Sequence, residues 1–450
     1  MKANTVDMSK GIYWKVIIAF AIPVFFSNLF QQLYNSIDAL IVGNFLGKNS
    51  LAAVASSGNL IFLFTSFFIG TASGISVLIA KFFGEKRFDE MRKTIHTGIA
   101  LGIVCSIILT ILGIALTPFI LRLMKTDENV LPESIKYFRY FFLGISGSVM
   151  YNIFSGILNA LGNSKRSLYY LIFSSILNVI LDLVFIAWFN MGVEGAALAT
   201  AIAQISSALL CLLFLVKKGT IYQVELKEVK FDSRMLKLIL KYGIPAGVQN
   251  SVIALANVFV QSNINTFGND AMAGCGTYSK LEGFAFLPVT CFTMALTTFV
   301  GQNLGARQYE RAKKGATFGV VCSLLLAEVI GLIMYLFMPY LARLFSDDIN
   351  VINIATKQAH TICLFYFLLA FSHCIAAICR GAGKAIVPMI VMLLIWCLLR
   401  VTYINIAMSI EHEITLIFIA YPLTWGISSI IYFIYYKCSD WVHGFEKKEL

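Results

Sequence analysis

Twelve apolar runs, each near the length needed to cross a bilayer, dominate this chain. They cover approximately residues 15–43, 50–80, 94–120, 135–161, 167–189, 194–216, 236–266, 270–301, 312–338, 354–379, 385–409 and 413–436. In hydrocarbon every backbone N–H and C=O must find its partner inside the protein, so runs of this kind fold as helices. The expected fold is an all-α membrane protein with twelve transmembrane helices. Charged residues make up 13% of the chain, against about 25% in soluble domains. The first run starts too late, extends too far and lacks a small-residue cleavage site, so it reads as a span rather than a removable signal peptide.

The formal net charge is +11, and its placement decides what it means. Basic residues gather in alternate loops: Lys81, Lys86, Arg87, Arg92 and Lys93; Lys217, Lys218, Lys227, Lys230 and Arg234; Arg307, Arg311, Lys313 and Lys314. That alternation is a topology signal that puts both termini in the cytoplasm, as expected for a multi-pass protein of a prokaryotic inner membrane. It is not a nucleic-acid face. The ten cysteines form no C-x-x-C or metal-spaced cluster and read as small core side chains. The five histidines are scattered, with no His/acid pair beside a nucleophile, so an enzyme is disfavoured and no cofactor is expected.

The chain repeats itself. Ile22-Pro23 with Asn28 recurs as Ile244-Pro245 with Asn250, an offset of 222. Gly47, Gly84, Lys93 and Gly98 recur as Gly268, Gly305, Lys314 and Gly319, an offset of 221. An even number of spans per copy gives both the same orientation, which predicts pseudo-symmetric six-helix lobes at 1–216 and 235–450 around a central cleft. The basic stretch 217–234 is the cytoplasmic linker.

Polar groups inside the spans mark the candidate site. Asn28, Gln31, Asn35 and Asp38 step along one helical face of the first span, and a mid-membrane carboxylate costs about 2.5–3.5 kcal/mol. In the register of the first helix Asp38 corresponds to Val260, so any ion event there belongs to the N-terminal copy. Asp182 follows Asn178 by four residues, and Thr200 lies early in the next span. Two carboxylates, an amide and a hydroxyl form an all-oxygen set suited to Na⁺ or to a shared proton. The alternative for Asn178 and Thr200 is interhelical hydrogen bonding alone.

The duplication, Ile22-Pro23, the run Ser36-Ile37-Asp38…Gly43…Gly47, the loop Gly305-Ala306-Arg307 and the pair Asn178…Asp182 together resemble the multidrug and toxic compound extrusion (MATE) family over nearly the whole chain. The resemblance implies a twelve-helix antiporter exporting amphiphilic, often cationic, organic compounds against H⁺ or Na⁺. In the DinF-like branch it implies an N-lobe ion site at Asp38, Asn178, Asp182 and Thr200. The NorM-like branch carries acids on the seventh and tenth helices. Here those spans offer Asn250, Asn257 and Gln261, and His373, but no acid.

Candidate cargo contacts are Asn28, Gln31, Tyr34, Asn35, Asn250, Asn257, Gln261, Glu282 and Met294. Glu282 has two readings, an acid that attracts cationic cargo or a partner for Arg400. Aromatic residues such as Phe67, Phe68, Tyr151, Phe154, Phe286 and Phe292 are read as a pocket set, with core packing as the alternative for each. Pro23 and Pro245 interrupt long helices and are expected to bend them, with Pro23 the proposed hinge. Partners are small organic molecules and membrane lipid, and a monomer suffices. The rival reading is a flippase for lipid-linked saccharides, which calls for an Arg/Lys-rich cleft. The spans offer mainly Lys280 and Arg400.

Overall fold

The computed structural model describes residues 7–123 and 131–445, with side chains at 48–49, 51–53, 55–60, 62–64, 120 and 123 outside the described set. Among the described residues, ten helical segments are each long and apolar enough to cross a membrane, and two bent pairs bring the number to twelve. In chain order these spans are α1 (Tyr13–Leu46), α2 (Lys48–Gly84), α3 (Phe88–Leu123), α4 with α5 (Leu131–Leu143, Ile145–Ala160), α6 (Ser164–Asp182) and α7 (Val193–Leu215). The second set is α8 (Ser233–Asn265), α9 with α10 (Asn269–Ala285, Leu287–Gly305), α11 (Tyr309–Arg343), α12 with α13 (Ile349–Ile362, Tyr366–Gly381), α14 with α15 (Ile386–Val391, Arg400–Ile410) and α16 (Ile414–Cys438). Every run read from the sequence falls on one of these spans. The bent pairs turn by 47° at Gly144 and 42° at Phe286, where Pro288 opens α10. α1 and α8 stay helical through Pro23 and Pro245.

The repeat is written into the backbone. Gly47 and Gly268 open α2 and α9 at φ 88° and 89°, and a Cβ at either would meet nothing within 4 Å. Glycine is needed there for its left-handed backbone, not for space. Lys86 and Arg307 (φ 59° and 56°) and Gly162 and Gly383 (φ 77° and 74°) end helices, also 221 apart. Each closes a six-residue cap: Arg87 N donates to Phe82 O, Gln308 to Asn303 O, Asn163 to Leu158 O and Lys384 to Cys379 O, at 2.8–2.9 Å.

The described residues pack as two compact units, residue 7 with 26–247, and residues 8–25 with 248–445. Each proline helix is therefore divided two residues past its proline. In the first unit a core of Ile75, Leu78, Ile79, Phe138, Phe142, Ile157 and Leu171 also takes in Tyr151 and Phe154, so for those two rings core packing holds. Here the opening of α8 lies backbone to backbone on α2: a Cβ at Gly70 would sit 2.3 Å from Gly247 N, and one at Gly74 2.6 Å from Gly243 N. Small residues spaced by four on both helices permit this approach. The 217–232 segment is tied to α3. Arg92 donates to the carbonyls of Ile221 and Thr220, His96 Nε2 accepts from Glu225 N at 3.0 Å, and Thr97 accepts from Asp232 N. In the second unit Met8–Gly11 is held likewise: Met8 N donates to Gln302, and Arg311 donates to the carbonyls of Met8, Lys10 and Gly11. The span α12–α13 breaks at a 3₁₀ turn, Cys363–Phe365, and Glu328 accepts the N–H of Phe367 there at 3.3 Å. A carboxylate inside a span thus satisfies a broken helix.

Candidate functional site

In the first unit Asp38 of α1 meets the end of α6. Asp182 is fully buried, Asn178 is 1% exposed and Asp38 9%. The two carboxyl groups lie within electrostatic reach of each other. Asn178 Nδ2 donates to Thr200 Oγ1 of α7 at 3.3 Å, so all four residues singled out in the sequence meet in one place. Asp182 is the last α-helical residue before a π-helical segment, Leu183–Trp188. Such widened turns recur at functional sites because they re-aim a side chain. Small residues let α7 approach: Ala196, Ala197 and Ala199 are fully buried.

The electrostatics are unbalanced. Asp38 Oδ1, both oxygens of Asp182 and Asn178 Oδ1 are buried acceptors with no donor from the protein. Ile41, Val42, Tyr137, Ile186, Val193, Ala196 and Ala197 form an apolar cluster around them. Two facing carboxylates in a low-dielectric setting cannot both hold full charge without a proton or a cation between them. The donor set is all oxygen, which fits a hard cation or a shared proton.

Three further residues border the site. Gln204 Nε2 donates to Tyr34 Oη at 3.2 Å, and Tyr34 and Tyr137 lie within electrostatic reach of both acids. Tyr34 was marked as a cargo contact, and here it is buried beside the acids. Gln204, four residues past Thr200 on the same face, carried a readable signal. Tyr137 carried none, since it reaches the site from α4.

The stripe on α1 is split. Gln31 and Asn35 are exposed, Asn28 is half-buried, and Asp38 turns inward. In the second unit Asn257 and Gln261 are exposed, Asn250 and Met294 are half-buried, and Gln261 donates to Asn265 at 2.9 Å. Glu282 pairs with tyrosines rather than with arginine. Tyr278 and Tyr366 donate to its carboxylate at 3.3 and 3.5 Å, and their hydroxyls lie 2.8 Å apart. Among the described residues no carboxylate lies within 4.0 Å of Arg400, which corrects the Glu282–Arg400 ion-pair reading. His373 stands edge-on to Phe286 and Trp396. Glu194, in the first turn of α7, pairs with Lys136 of α4 at 2.7 Å. An apolar cavity of about 140 Å³ in the first unit is lined by Phe68, Thr71, Ile75, Gly102 and Ile153, and the acids are not part of it.

Known proteins share this architecture. One solved structure, of MATE in complex with MaL6, superposes at a TM-score of 0.91 with 22% identity, over 99% of this chain and all of the other. An outward-facing multidrug resistance MATE family transporter of the MOP superfamily gives 0.90 over the full length of both. At such identity these likenesses show the fold. The Bacillus subtilis protein named "Probable multidrug resistance protein YoeA" is 27% identical over 445 residues, 96% of this chain and 95% of its own. The "Multidrug export protein MepA" of Staphylococcus aureus MW2 is 24% identical over 77% of each chain. The MatE family profile matches residues 23–184 and 245–404, one block in each repeat, and the chain belongs to that family.

Proposed function

We propose that this chain is a secondary active exporter of amphiphilic organic cations, driven by the inward movement of H⁺ at the Asp38–Asp182 pair. The observation that carries this reading is the electrostatic contact between two buried carboxyl groups whose oxygens lack protein donors. A proton shared across that contact removes the repulsion, and its loss restores it, so cargo and proton favour different conformations. Na⁺ is the second reading, favoured by the oxygens of Asn178 and Thr200 beside the acids. The names of the relatives support drug export over lipid-linked saccharide flipping. The match of Asp38, Asn178, Asp182 and Thr200 to one constellation supports the DinF-like branch.

Gln31 and Asn35, exposed on α1, and Asn257 and Gln261, exposed on α8, are the proposed cargo contacts, with Asn28, Asn250, Glu282 and Met294 beside them. Pro23 is the proposed hinge, and unchanged efflux in Pro23→Ala would remove it. The basic loops support cytoplasmic termini in an inner membrane, and one chain supplies both units.

The deciding experiment is efflux of a fluorescent organic cation from vesicles under a proton or a sodium gradient. Proton-driven efflux that vanishes in Asp38→Asn is the expected result. Sodium-driven efflux would select the second reading, and no gradient response in the wild type would refute both.

A further inference from the structure

His96 is 4% exposed on α3, and its Nε2 accepts the backbone N–H of Glu225 at 3.0 Å. A backbone N–H can only donate, so that ring nitrogen carries no proton and the imidazole is neutral in this arrangement. It is the middle one of three attachments that hold the 217–232 segment on one helix. One turn before it Arg92 donates to the carbonyls of Thr220 and Ile221, and next to it Thr97 accepts the N–H of Asp232 at 3.2 Å. The Asp232 carboxylate in turn accepts Met235 N at 2.9 Å, so the grip on α3 reaches the first turn of α8.

The three attachments answer a proton differently. A guanidinium that donates to carbonyls stays charged and a hydroxyl stays neutral near neutral pH, whereas an imidazole changes charge there. A proton on Nε2 turns the acceptor into a donor aimed at another donor, and the Glu225 N–H loses its partner. The charged groups that face the ring are Arg92 on its own helix and Glu225 and Glu228 on the segment. Both of those glutamates are exposed, so their carboxylates are free to turn toward an imidazolium that the backbone N–H has to leave. The neighbour that α8 sends to this end of α3 is neutral: Met235 Sδ accepts from Thr94 Oγ1 at 3.2 Å. In the other repeat the offset of 221 puts Thr317 in the place of His96, so a titratable ring belongs to the first copy alone.

We propose that His96 is a proton-read latch on the 217–232 segment: neutral, it ties Glu225 to α3, and protonated, it releases that backbone and takes a carboxylate of the segment instead. Histidine protonation commonly works such switches. The basic residues of the segment put it on the cytoplasmic side of the proposed topology, the side to which the proposed exchange delivers protons. The signal is then the acid load of transport itself, read at the entry to α8. That role rests on the transport reading, but the latch does not.

The test is hydrogen exchange on the purified full-length protein between about pH 8 and pH 5, where histidine changes charge. Protection of peptides covering 220–228 is measured against an unstructured peptide of the same sequence at each pH. In the wild type it is expected to fall about tenfold across that range, the order for one hydrogen bond lost. His96→Gln, whose amide oxygen accepts at any pH, should hold it constant. Constant protection in the wild type, or the same fall in a folded His96→Gln protein, overturns the proposal. If that variant does not fold, Glu225→Gln combined with Glu228→Gln decides. Without those carboxylates the midpoint of the fall should move to lower pH, and an unmoved midpoint overturns the proposal. A latch that opens in a protein without gradient-driven efflux keeps this inference and removes antiport, while pH-independent exchange in a transporting protein does the reverse.

Discussion

Asp182 of the first unit and Arg400 of the second sit on corresponding spans with opposite charge. At the offset of 221, Asp182 corresponds to Tyr403 and Arg400 to Val179, while at 222 Asp38 corresponds to Val260. Both spans carry a π-helical segment against the charged residue, at different rungs since Met392–Leu399 answers 171–178, and both repeats end their helices in the same left-handed caps. What has been kept is backbone geometry, and what has diverged is the sign and the rung of the charge. Cap glycines and crossing glycines admit few substitutes, whereas a polar residue lining a site can change whenever its partner changes too. Likeness between halves is therefore a guide to architecture and a poor guide to chemistry.

The sharpest way to break this comparison is to neutralise each side in turn. Asp38→Asn and Asp182→Asn are expected to bring gradient-driven efflux down to that of protein-free vesicles, whereas Glu282→Gln should weaken cargo binding while a gradient response remains. Equal loss in all three would mean the units share one ion event. A second contrast sets Gly70 against Gly276. Gly70→Val drives a side chain into the α8 backbone and should destabilise by about 3 kcal/mol, read by thermal unfolding. Gly276→Ala meets open space and should stay within about 0.5 kcal/mol. Smaller effects are expected at the two straps. Arg311→Ala and Arg92→Ala should each cost about 1–3 kcal/mol, and hydrogen exchange should rise at Met8–Gly11 in the first and at 220–225 in the second. A small effect is also expected for Glu194→Gln, under about 1 kcal/mol, because Lys136 is half exposed. A larger shift in melting temperature would give that pair a role in α4–α7 packing that its exposure does not suggest.

The twelve spans were legible because hydrocarbon leaves the backbone a single local solution. The repeat register was legible because glycine and proline mark backbone geometry directly. Asn178, Asp182 and Thr200 could be picked out as polar residues in apolar runs. That Asp38 lies near Asp182 came only as what the resemblance implies, since α1 and α6 are joined by more than a hundred residues of chain and no local pattern encodes their packing. Glu282 read equally as an acid for cationic cargo and as a partner for Arg400, since opposite charges attract. Two tyrosine hydroxyls, 4 and 84 residues away, satisfy it instead. Lys86 and Arg307 were equally opaque, for neither is a residue type that announces a left-handed backbone.

The division of α1 and α8 two residues past their prolines also bears on how the protein is made. Met8 finds its hydrogen-bond partner Gln302 294 positions downstream. The N-terminal end of the chain therefore leaves the ribosome long before the surface it docks on exists. The first unit, likewise, is complete only once synthesis has reached Gly247. Assembly of this protein is thus an interlocking event late in translation, and a ribosome stalled between the two repeats would leave neither unit finished.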